Sequence, residues 1–254
     1  MRIKELDLIK WLAFGFMVLD HLRFLDLIDE AKYPIFVFGR LAFPLFCFIM
    51  AYNFFRTDGL VNTLKSDQRY ISSLLIFFII SEIPYRLYGD MKFTSMNIML
   101  TLAFSFILLY SYTRKNKVLL LEPSLITLLV VLTCLGFEYT DLFKVQYGLA
   151  GVFLPVAMYF CLKHNKPLNW FFVILCAAIM NFFWENGMMF NGISSFIMIC
   201  IPMFVSILGA LLGFAIIQTK ISIQVPPITK WGYWFYPVHL TVLFILRYIW
   251  RIYS

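Results

Sequence analysis

Long apolar runs alternate with short polar links along almost the whole chain, from Leu8 to Trp250. Each run has about the length, roughly 17 to 25 residues, that an α-helix needs to cross a bilayer. The pattern predicts nine helices, at 8–24, 35–55, 70–88, 95–113, 118–137, 146–162, 168–184, 196–217 and 232–250. The sequence therefore predicts an all-α, polytopic transmembrane helix bundle that forms a single domain over residues 1–254.

The composition agrees with a lipid environment, since 62% of the residues are apolar, 19% aromatic and only 14% charged. A soluble domain carries about 25% charged residues. The first run contains Lys10, Asp20 and His21 and no small-residue cleavage site, so it is interpreted as a retained helix. The five cysteines all fall within apolar runs without ligand spacing, so they are interpreted as packing residues, and no metal site is predicted.

The basic residues are distributed unevenly over the links. The more basic set of links contains Arg2 and Lys4, then Arg56, Lys65 and Arg69, then Arg114, Lys115 and Lys117, then Lys163 and Lys166, and finally Lys220 and Lys230. By the positive-inside rule this set is cytoplasmic, which predicts an inside N-terminus. The net charge of +7 is interpreted as topology and contact with anionic lipid, with no nucleic-acid partner.

Several ionisable residues lie inside the predicted spans, where one charge costs at least about 2.5 kcal/mol on insertion scales. His21 follows Lys10 by eleven residues, which is a depth of about 16 Å at roughly 1.5 Å per residue. The topology places Arg40 and Glu82 in the same outer half of the membrane. Asn97, Asn181, Glu185 and His239 approach this layer as well. A shared depth favours a site, since a carboxylate beside an imidazole makes it a better general base.

Each of these residues also has a structural interpretation. His21 could be a buried, hydrogen-bonded histidine, and Arg40 with Glu82 could form an ion pair within the bundle. Asp20 lies about 100° around the helix from His21, so it could face a neighbouring helix or the outer headgroups. His239, taken alone, is interpreted as structural before it is interpreted as catalytic.

Motifs of other enzyme classes are missing from the sequence. It contains no GxSxG, HExxH, GxxxxGK or dinucleotide-binding fingerprint. Gly209 and Gly213 form a GxxxG pair, which indicates close helix packing. No internal repeat is evident, which argues against repeat-built transporter folds.

Five stretches carry a resemblance to known membrane enzymes. Residues 6–21 resemble the first helix of the acyltransferase-3 group, in which ten positions separate a basic residue from a histidine. The basic residue is commonly an arginine in that group and is Lys10 in this chain. Residues 39–53 read GRLAFPLFCFIMAYN and are similar to the second-helix signature of the TraX family, the conjugative pilin acetylases. Residues 97–102, 146–151 and 236–240 resemble later blocks of that family in the same order.

The resemblance implies acetyl transfer from cytoplasmic acetyl-CoA to an acceptor, which in the type member is the N-terminal amine of F-type pilin. In this reaction His21 is the expected base, oriented by Glu82 or Asp20, and Arg40 or Asn97 is expected to stabilise the oxyanion. The expected cofactor-binding group is Lys10, Asn53, Arg56, Lys65 and Arg69, and the expected acceptor-binding group is Asn97, Tyr236 and His239. The anionic nucleotide would stay with the cytoplasmic cations. An extended pantetheine arm, on the order of 15 to 20 Å, matches the roughly 16 Å from Lys10 to His21.

Other functions remain open at this point. The wider group also acetylates sugars, so a glycan or lipid-linked sugar is an alternative acceptor. A proton-coupled secondary transporter would also keep Asp20, His21, Arg40 and Glu82 in the membrane. A scaffold for pilus assembly is a third alternative. The sequence does not separate direct transfer from an acetyl-histidine intermediate, and it does not fix the oligomeric state.

Overall fold

The computed structural model describes residues 3–23, 32–60, 63–89, 95–114, 121–139, 143–182, 193–219 and 225–253. Within these ranges the chain forms ten α-helices and no β-strand. They are α1 (Lys4–Leu22), α2 (Lys32–Gly39), α3 (Ala42–Thr57), α4 (Leu64–Tyr88), α5 (Ile98–Thr113), α6 (Pro123–Tyr139), α7 (Gly148–His164), α8 (Pro167–Phe182), α9 (Ile193–Gln218) and α10 (Trp231–Tyr253). The prediction of an all-α bundle is confirmed, with α2 and α3 together in place of the second predicted helix.

Some of the described helices have the length and composition of membrane spans. Three segments are long and apolar enough to cross a bilayer, namely Lys32–Thr57, Leu64–Tyr88 and Met198–Gln218, and α5 to α8 are shorter apolar helices. On α4 the side chains of Ile79 and Ile83 are 67% and 69% exposed. Because such large apolar side chains cannot face water along a whole helix, this face of α4 contacts lipid.

The second predicted helix is interrupted, which the sequence analysis did not anticipate. α2 ends at Gly39 and α3 begins at Ala42. The amides of Arg40 and Leu41 bond three residues back, to Val37 and Phe38, at 3.1 Å each. Pro44 lies in the first turn of α3 and has no N–H to donate to the carbonyl of residue 40, which suits this break. A proline alone does not impose one, because Pro84 and Pro155 lie inside continuous helices. The single helix predicted over 35–55 is therefore wrong at this point.

Helices α1, α4 and α10 run side by side in the same direction. Ring contacts join Trp11 to Trp231 at 5.7 Å, His21 to His239 at 4.9 Å and Phe77 to Tyr233 at 5.4 Å, and Arg247 donates to the carbonyl of Tyr88 at 2.9 Å. When α2 and α3 are counted as one crossing, α1, α4 and α10 are the first, third and ninth crossings of the predicted topology. Odd-numbered crossings run in the same direction, so the parallel arrangement of these helices agrees with that topology.

The core of the bundle lies around α3, which packs against α1, α5, α7 and α9. Leu45, Phe48 and Met50 on this helix are fully buried. The GxxxG pair on α9 packs here, because a Cβ added at Gly209 would lie 3.0 Å from the Cα of Leu41. The prediction that this motif serves helix packing is confirmed.

Candidate active site

A cavity of about 480 Å³ runs along α1 between α3, α4, α5 and α10. One end, here called the mouth, is lined by Lys10, Asn53, Arg56, Ser66 and Asp67. The other end, here called the histidine end, is lined by Asp20, His21, Gln146, Tyr147 and Tyr236. The middle is apolar and aromatic, with Phe14, Phe46, Ile49, Tyr70, Leu74 and Leu102. Because Lys10 and His21 share α1, the two ends lie about 16 Å apart.

His21 lies in the last turn of α1 and is held on several sides. Its Nδ1 is 2.8 Å from the carbonyl oxygen of Met17, one turn earlier. The Nε2 of His239 on α10 lies 3.1 Å from the same Nδ1. The hydroxyl of Tyr88, at the end of α4, donates to the backbone carbonyl of His21. Three helices therefore fix the position of this imidazole.

The hydrogen bonds also assign the tautomers of the two neutral rings. The Nδ1 of His239 lies 2.9 Å from the carbonyl oxygen of Phe235, and a carbonyl only accepts, so this nitrogen carries the proton. The Nε2 of His239 is then an acceptor, as is the carbonyl of Met17. Both face Nδ1 of His21, which must carry the proton. The lone pair of His21 is therefore on Nε2, the nitrogen that a general base uses.

Asp20 and Arg40 form an ion pair beside this imidazole. Arg40 is only 2% exposed, its guanidinium lies 4.4 Å from the centre of the Phe36 ring, and its Nη1 donates to the hydroxyl of Tyr147 at 3.3 Å. Gly39 permits this approach, since a Cβ there would lie 2.5 Å from the Cβ of Asp20. Loss of one partner of a buried ion pair costs about 3–5 kcal/mol of folding free energy. Because Asp20 lies on α1 and Arg40 lies between α2 and α3, this pair also joins α1 to the α2–α3 break.

Tyr147 occupies a strained backbone conformation at the start of α7. Its φ is +64°, in the left-handed region, and Gly148 follows at +54°. Such a conformation costs a bulky residue about 1–3 kcal/mol and persists only where surrounding contacts hold it. The Tyr147 ring stacks on Phe43 at 4.5 Å, and its hydroxyl accepts from Arg40. Sequence reasoning missed Tyr147 and Gln146 as site residues, although both lie in the resembling block at 146–151.

Glu82 and Asn97 do not join this site, contrary to prediction. The Glu82 carboxylate accepts from Arg86 Nε at 2.6 Å and from the amide and side chain of Asn97 at 3.1 and 2.7 Å. Asn97 caps α5 by accepting from the amide of Met99 at 3.0 Å and donates to the carbonyl of Phe78 at 2.9 Å. The two residues therefore tie α4 to α5. Of the two carboxylates considered for His21, the described structure places Asp20 beside it, and Arg40 pairs with Asp20, while Glu82 pairs with Arg86 and Asn97.

The predicted cofactor-binding group divides into two sets. Lys10, Asn53 and Arg56 line the mouth together. Lys10 Nζ lies 3.1 Å from the carboxylate of Asp7, and Arg56 Nη2 lies 3.5 Å from Asn53 Oδ1. The second set, Lys65 and Arg69, lines a different groove between α4 and α10 and does not reach the cavity.

The predicted acceptor-binding group divides as well. Tyr236 lines the cavity, and its ring centre is 6.2 Å from that of His21. His239 lies behind His21 and contacts it directly, so its place is closer to the candidate base than the sequence analysis assigned. Asn181 is buried in α8 away from the cavity lining. Glu185 and the cations Lys115, Lys117 and Lys220 lie outside the described residues.

Comparison with known proteins gives one family. A family model described as TraX protein matches residues 5–247, which is nearly the whole chain and includes both ends of the cavity. No curated protein matches the chain, and no solved structure matches it. Since the matched model names TraX alone, the likeness of α1 to the wider acyltransferase-3 group stays a resemblance.

Proposed function

The chain belongs to the TraX family, and on that premise we propose that it is an acetyltransferase that works within the membrane. Family membership suggests a conjugation-associated protein that modifies pilin. We propose acetyl-CoA as the donor and the N-terminal amine of a pilin subunit as the acceptor. The observation that carries this proposal is the cavity itself, which joins a cationic mouth to an imidazole with its lone pair available on Nε2.

The shape and lining of the cavity suit acetyl-CoA. A pantetheine arm of about 15 to 20 Å spans the roughly 16 Å between the two ends. Its phosphates would lie at the mouth beside Lys10 and Arg56, where charge-assisted hydrogen bonds are available. The apolar middle, with Phe14, Phe46 and Leu102, suits the methylene groups of the arm and keeps water from the thioester.

The proposed step is direct transfer with His21 as general base. His21 Nε2 accepts a proton from the acceptor amine while the amine nitrogen attacks the thioester carbonyl carbon. The C–N bond forms, the C–S bond breaks, and the proton passes to the departing thiolate, so atoms and charges balance. His239 and Met17 hold Nδ1–H and so keep the lone pair of His21 on Nε2.

Gln146 is the group that we propose for the oxyanion. It lines the histidine end beside Tyr147. Its amide N–H groups would donate to the oxygen that becomes negative during attack. We assign Arg40, which the sequence analysis placed at the oxyanion, a supporting role, because it does not line the cavity and contacts Asp20 and Tyr147.

The proposed orientation places the mouth in the cytoplasm of a bacterium and the protein in the inner membrane. Lys4, Arg56, Lys163 and Lys166 belong to the basic links assigned to the cytoplasm. Acetyl-CoA is a cytoplasmic metabolite whose charged nucleotide does not cross lipid. The histidine end then lies toward the outer half of the membrane, where a membrane-inserted acceptor would present its terminal amine.

A reconstituted assay tests the proposal. Purified protein receives acetyl-CoA and a synthetic peptide with a free N-terminal amine and the sequence of a candidate pilin terminus, and mass spectrometry locates the acetyl group. We expect acetylation of the terminal amine with release of free CoA thiol, and none with His21→Ala. A matched reaction with a glycan acceptor tests O-acetylation. A protein that neither binds nor consumes acetyl-CoA would overturn the proposal and favour a transporter or scaffold.

A further inference from the structure

A second groove lies on the outside of the bundle, between α4 and the start of α10. It has a volume of about 590 Å³. At one end it is lined by Lys65, Arg69 and Lys230, and at the other by Ile76, Phe77 and Trp234. Gln68, Ser72, Ser73 and Tyr233 lie between these ends. None of the described residues that line it is acidic, and those at its charged end are cations.

Both walls of the groove change from cationic to apolar in the same direction. On α4 the order is a cation at Lys65, a hydroxyl at Ser72 and an apolar side chain at Ile76, over about 16 Å of helix. On α10 the order is Lys230, Tyr233 and Trp234. Because α4 and α10 are parallel, the two gradients reinforce each other. The groove is therefore amphiphilic along its length.

The apolar end of the groove continues onto the lipid-facing surface. Ile76 and Trp234 are each 54% exposed, and beyond them Ile79 and Val238 are 67% and 53% exposed. The ring of Trp234 packs against Phe77 at 5.0 Å. Tryptophan and tyrosine are enriched where a membrane protein meets the headgroup layer. The groove thus crosses from the headgroup region into the hydrocarbon region.

On α4 different residues line this groove and the cavity, while Tyr233 on α10 contributes to the wall of both. Lys65 and Arg69, four residues apart, lie on one face of the helix, whereas Ser66 and Asp67 line the mouth of the cavity. A nucleotide bound at the mouth has no use for an apolar end that is open to lipid. A phospholipid has its phosphate and its acyl chains in the order that the groove presents.

We propose that this groove binds one anionic phospholipid. Its phosphate and headgroup lie among Lys65, Arg69 and Lys230, and the first part of an acyl chain lies along Ile76 and Trp234. The three cations bind an anionic headgroup more strongly than a zwitterionic one, because each basic side chain near negatively charged lipid adds to the electrostatic attraction. The bound lipid bridges α4 and the start of α10, so it stabilises the contact between these helices.

Native mass spectrometry tests this proposal on the full chain, released from nanodiscs that contain equal phosphatidylglycerol and phosphatidylcholine. We expect wild type to retain phosphatidylglycerol over phosphatidylcholine by about tenfold. A variant with Lys65→Gln, Arg69→Gln and Lys230→Gln should lose this preference. The control variant with Lys4→Gln and Lys166→Gln, which changes exposed cations outside the groove, should keep it. The melting temperature in phosphatidylglycerol should fall for the first variant alone.

Two results would overturn the proposal. One is an unchanged lipid preference in a well-folded triple variant. The other is weaker binding of acetyl-CoA with an intact lipid preference, which would assign the three cations to the nucleotide instead. Should the triple variant not fold, Arg69→Gln and Lys230→Gln are measured singly, and each must reduce the preference in part. A failure of acetyl transfer in the reconstituted assay leaves this lipid measurement unaffected.

Discussion

At the histidine end of the cavity the shortest side-chain contacts join helices that are far apart in sequence, whereas the two cations that line the mouth make side-chain contacts with near neighbours. His21 and His239 are 218 residues apart, and Asp20 contacts Arg40 from another helix. At the mouth, Lys10 contacts Asp7 three residues away, and Arg56 contacts Asn53 at the same spacing. Tertiary packing therefore fixes the first set of side chains, whereas these side-chain partners of Lys10 and Arg56 lie on their own helices. The wall of the mouth is joined across the bundle by longer-range bonds, from Lys10 to the carbonyl of Ile228 at 3.5 Å and from Arg114 to Asp67 at 3.0 Å.

This difference indicates what each end is suited to do. A reacting group must be held within a fraction of an ångström, which the interlocked histidine end provides. Flexible, half-exposed cations suit a charged group that arrives and leaves with each turnover. We therefore expect changes at the histidine end to lower kcat and changes at the mouth to weaken acetyl-CoA binding.

The largest effect is expected for His21→Ala. Removal of a general base typically lowers the rate by about 10²- to 10⁴-fold. Acetyl-CoA binding should persist, because the mouth is unchanged. The rate of acetyl transfer and the binding of acetyl-CoA are measured on one preparation, together with its melting temperature. A structural histidine would give the opposite pattern, with lower stability and normal turnover per folded molecule.

The next effect is expected for Gln146→Leu, which removes the amide at nearly constant volume. Loss of one oxyanion donor lowers kcat by about 10²- to 10³-fold. Since the ground-state carbonyl carries less charge than the transition state, KM for acetyl-CoA should change little. A rise in KM with unchanged kcat would instead assign Gln146 to substrate binding.

A smaller loss of kcat is expected for His239→Ala. Loss of a group that hydrogen-bonds a metal-bound imidazole lowers metal affinity or activity by about 10- to 100-fold, and we expect a similar decrease in kcat when His239 is lost. His239→Gln should recover part of the rate, since its carbonyl oxygen can accept from His21 Nδ1–H. The pH dependence of kcat should also shift in His239→Ala. A uniform loss of protein stability with an unchanged pH profile would contradict the positioning role.

The smallest effect is expected at the mouth. Lys10→Ala should weaken acetyl-CoA binding by about 3- to 10-fold, because one charge-assisted hydrogen bond is lost from a half-exposed site. Lys10→Arg keeps the charge and should largely preserve affinity. Isothermal calorimetry measures both. Unchanged affinity in Lys10→Ala would remove this residue from the binding site and weaken the comparison between the two ends.

The hydrophobic pattern predicts most of the fold because lipid makes each span a continuous apolar helix. It also locates His21, Asp20 and Arg40 at one depth. Depth does not fix the direction in which a side chain points, and Glu82 was therefore placed wrongly. Its helix faces α5 at that level, where Arg86 and Asn97 bind the carboxylate.

Other features depend on contacts that no local pattern contains. Lys65 and Arg69 share a basic link with Arg56 but lie on the opposite face of α4 from the cavity. The place of His239 beside His21 depends on α10 packing parallel to α1. The α2–α3 break is not predictable from Pro44, because Pro84, Pro155, Pro202 and Pro237 lie inside continuous helices.

The central claim is that the cavity brings the acyl end of acetyl-CoA from the mouth to His21. Bromoacetyl-CoA tests it, because its bromine-bearing carbon alkylates a nucleophile that the acyl group reaches, a thiol much faster than an imidazole or an amine, with loss of bromide. Ala42 and Ser66 line the cavity on α3 and at the mouth, and cysteine fits either position. Intact-mass measurement and peptide mapping of Ala42→Cys should find one adduct at residue 42, which excess acetyl-CoA prevents, and none in Ser66→Cys. Alkylation of Ser66→Cys with an unmodified, well-folded Ala42→Cys protein would contradict the account.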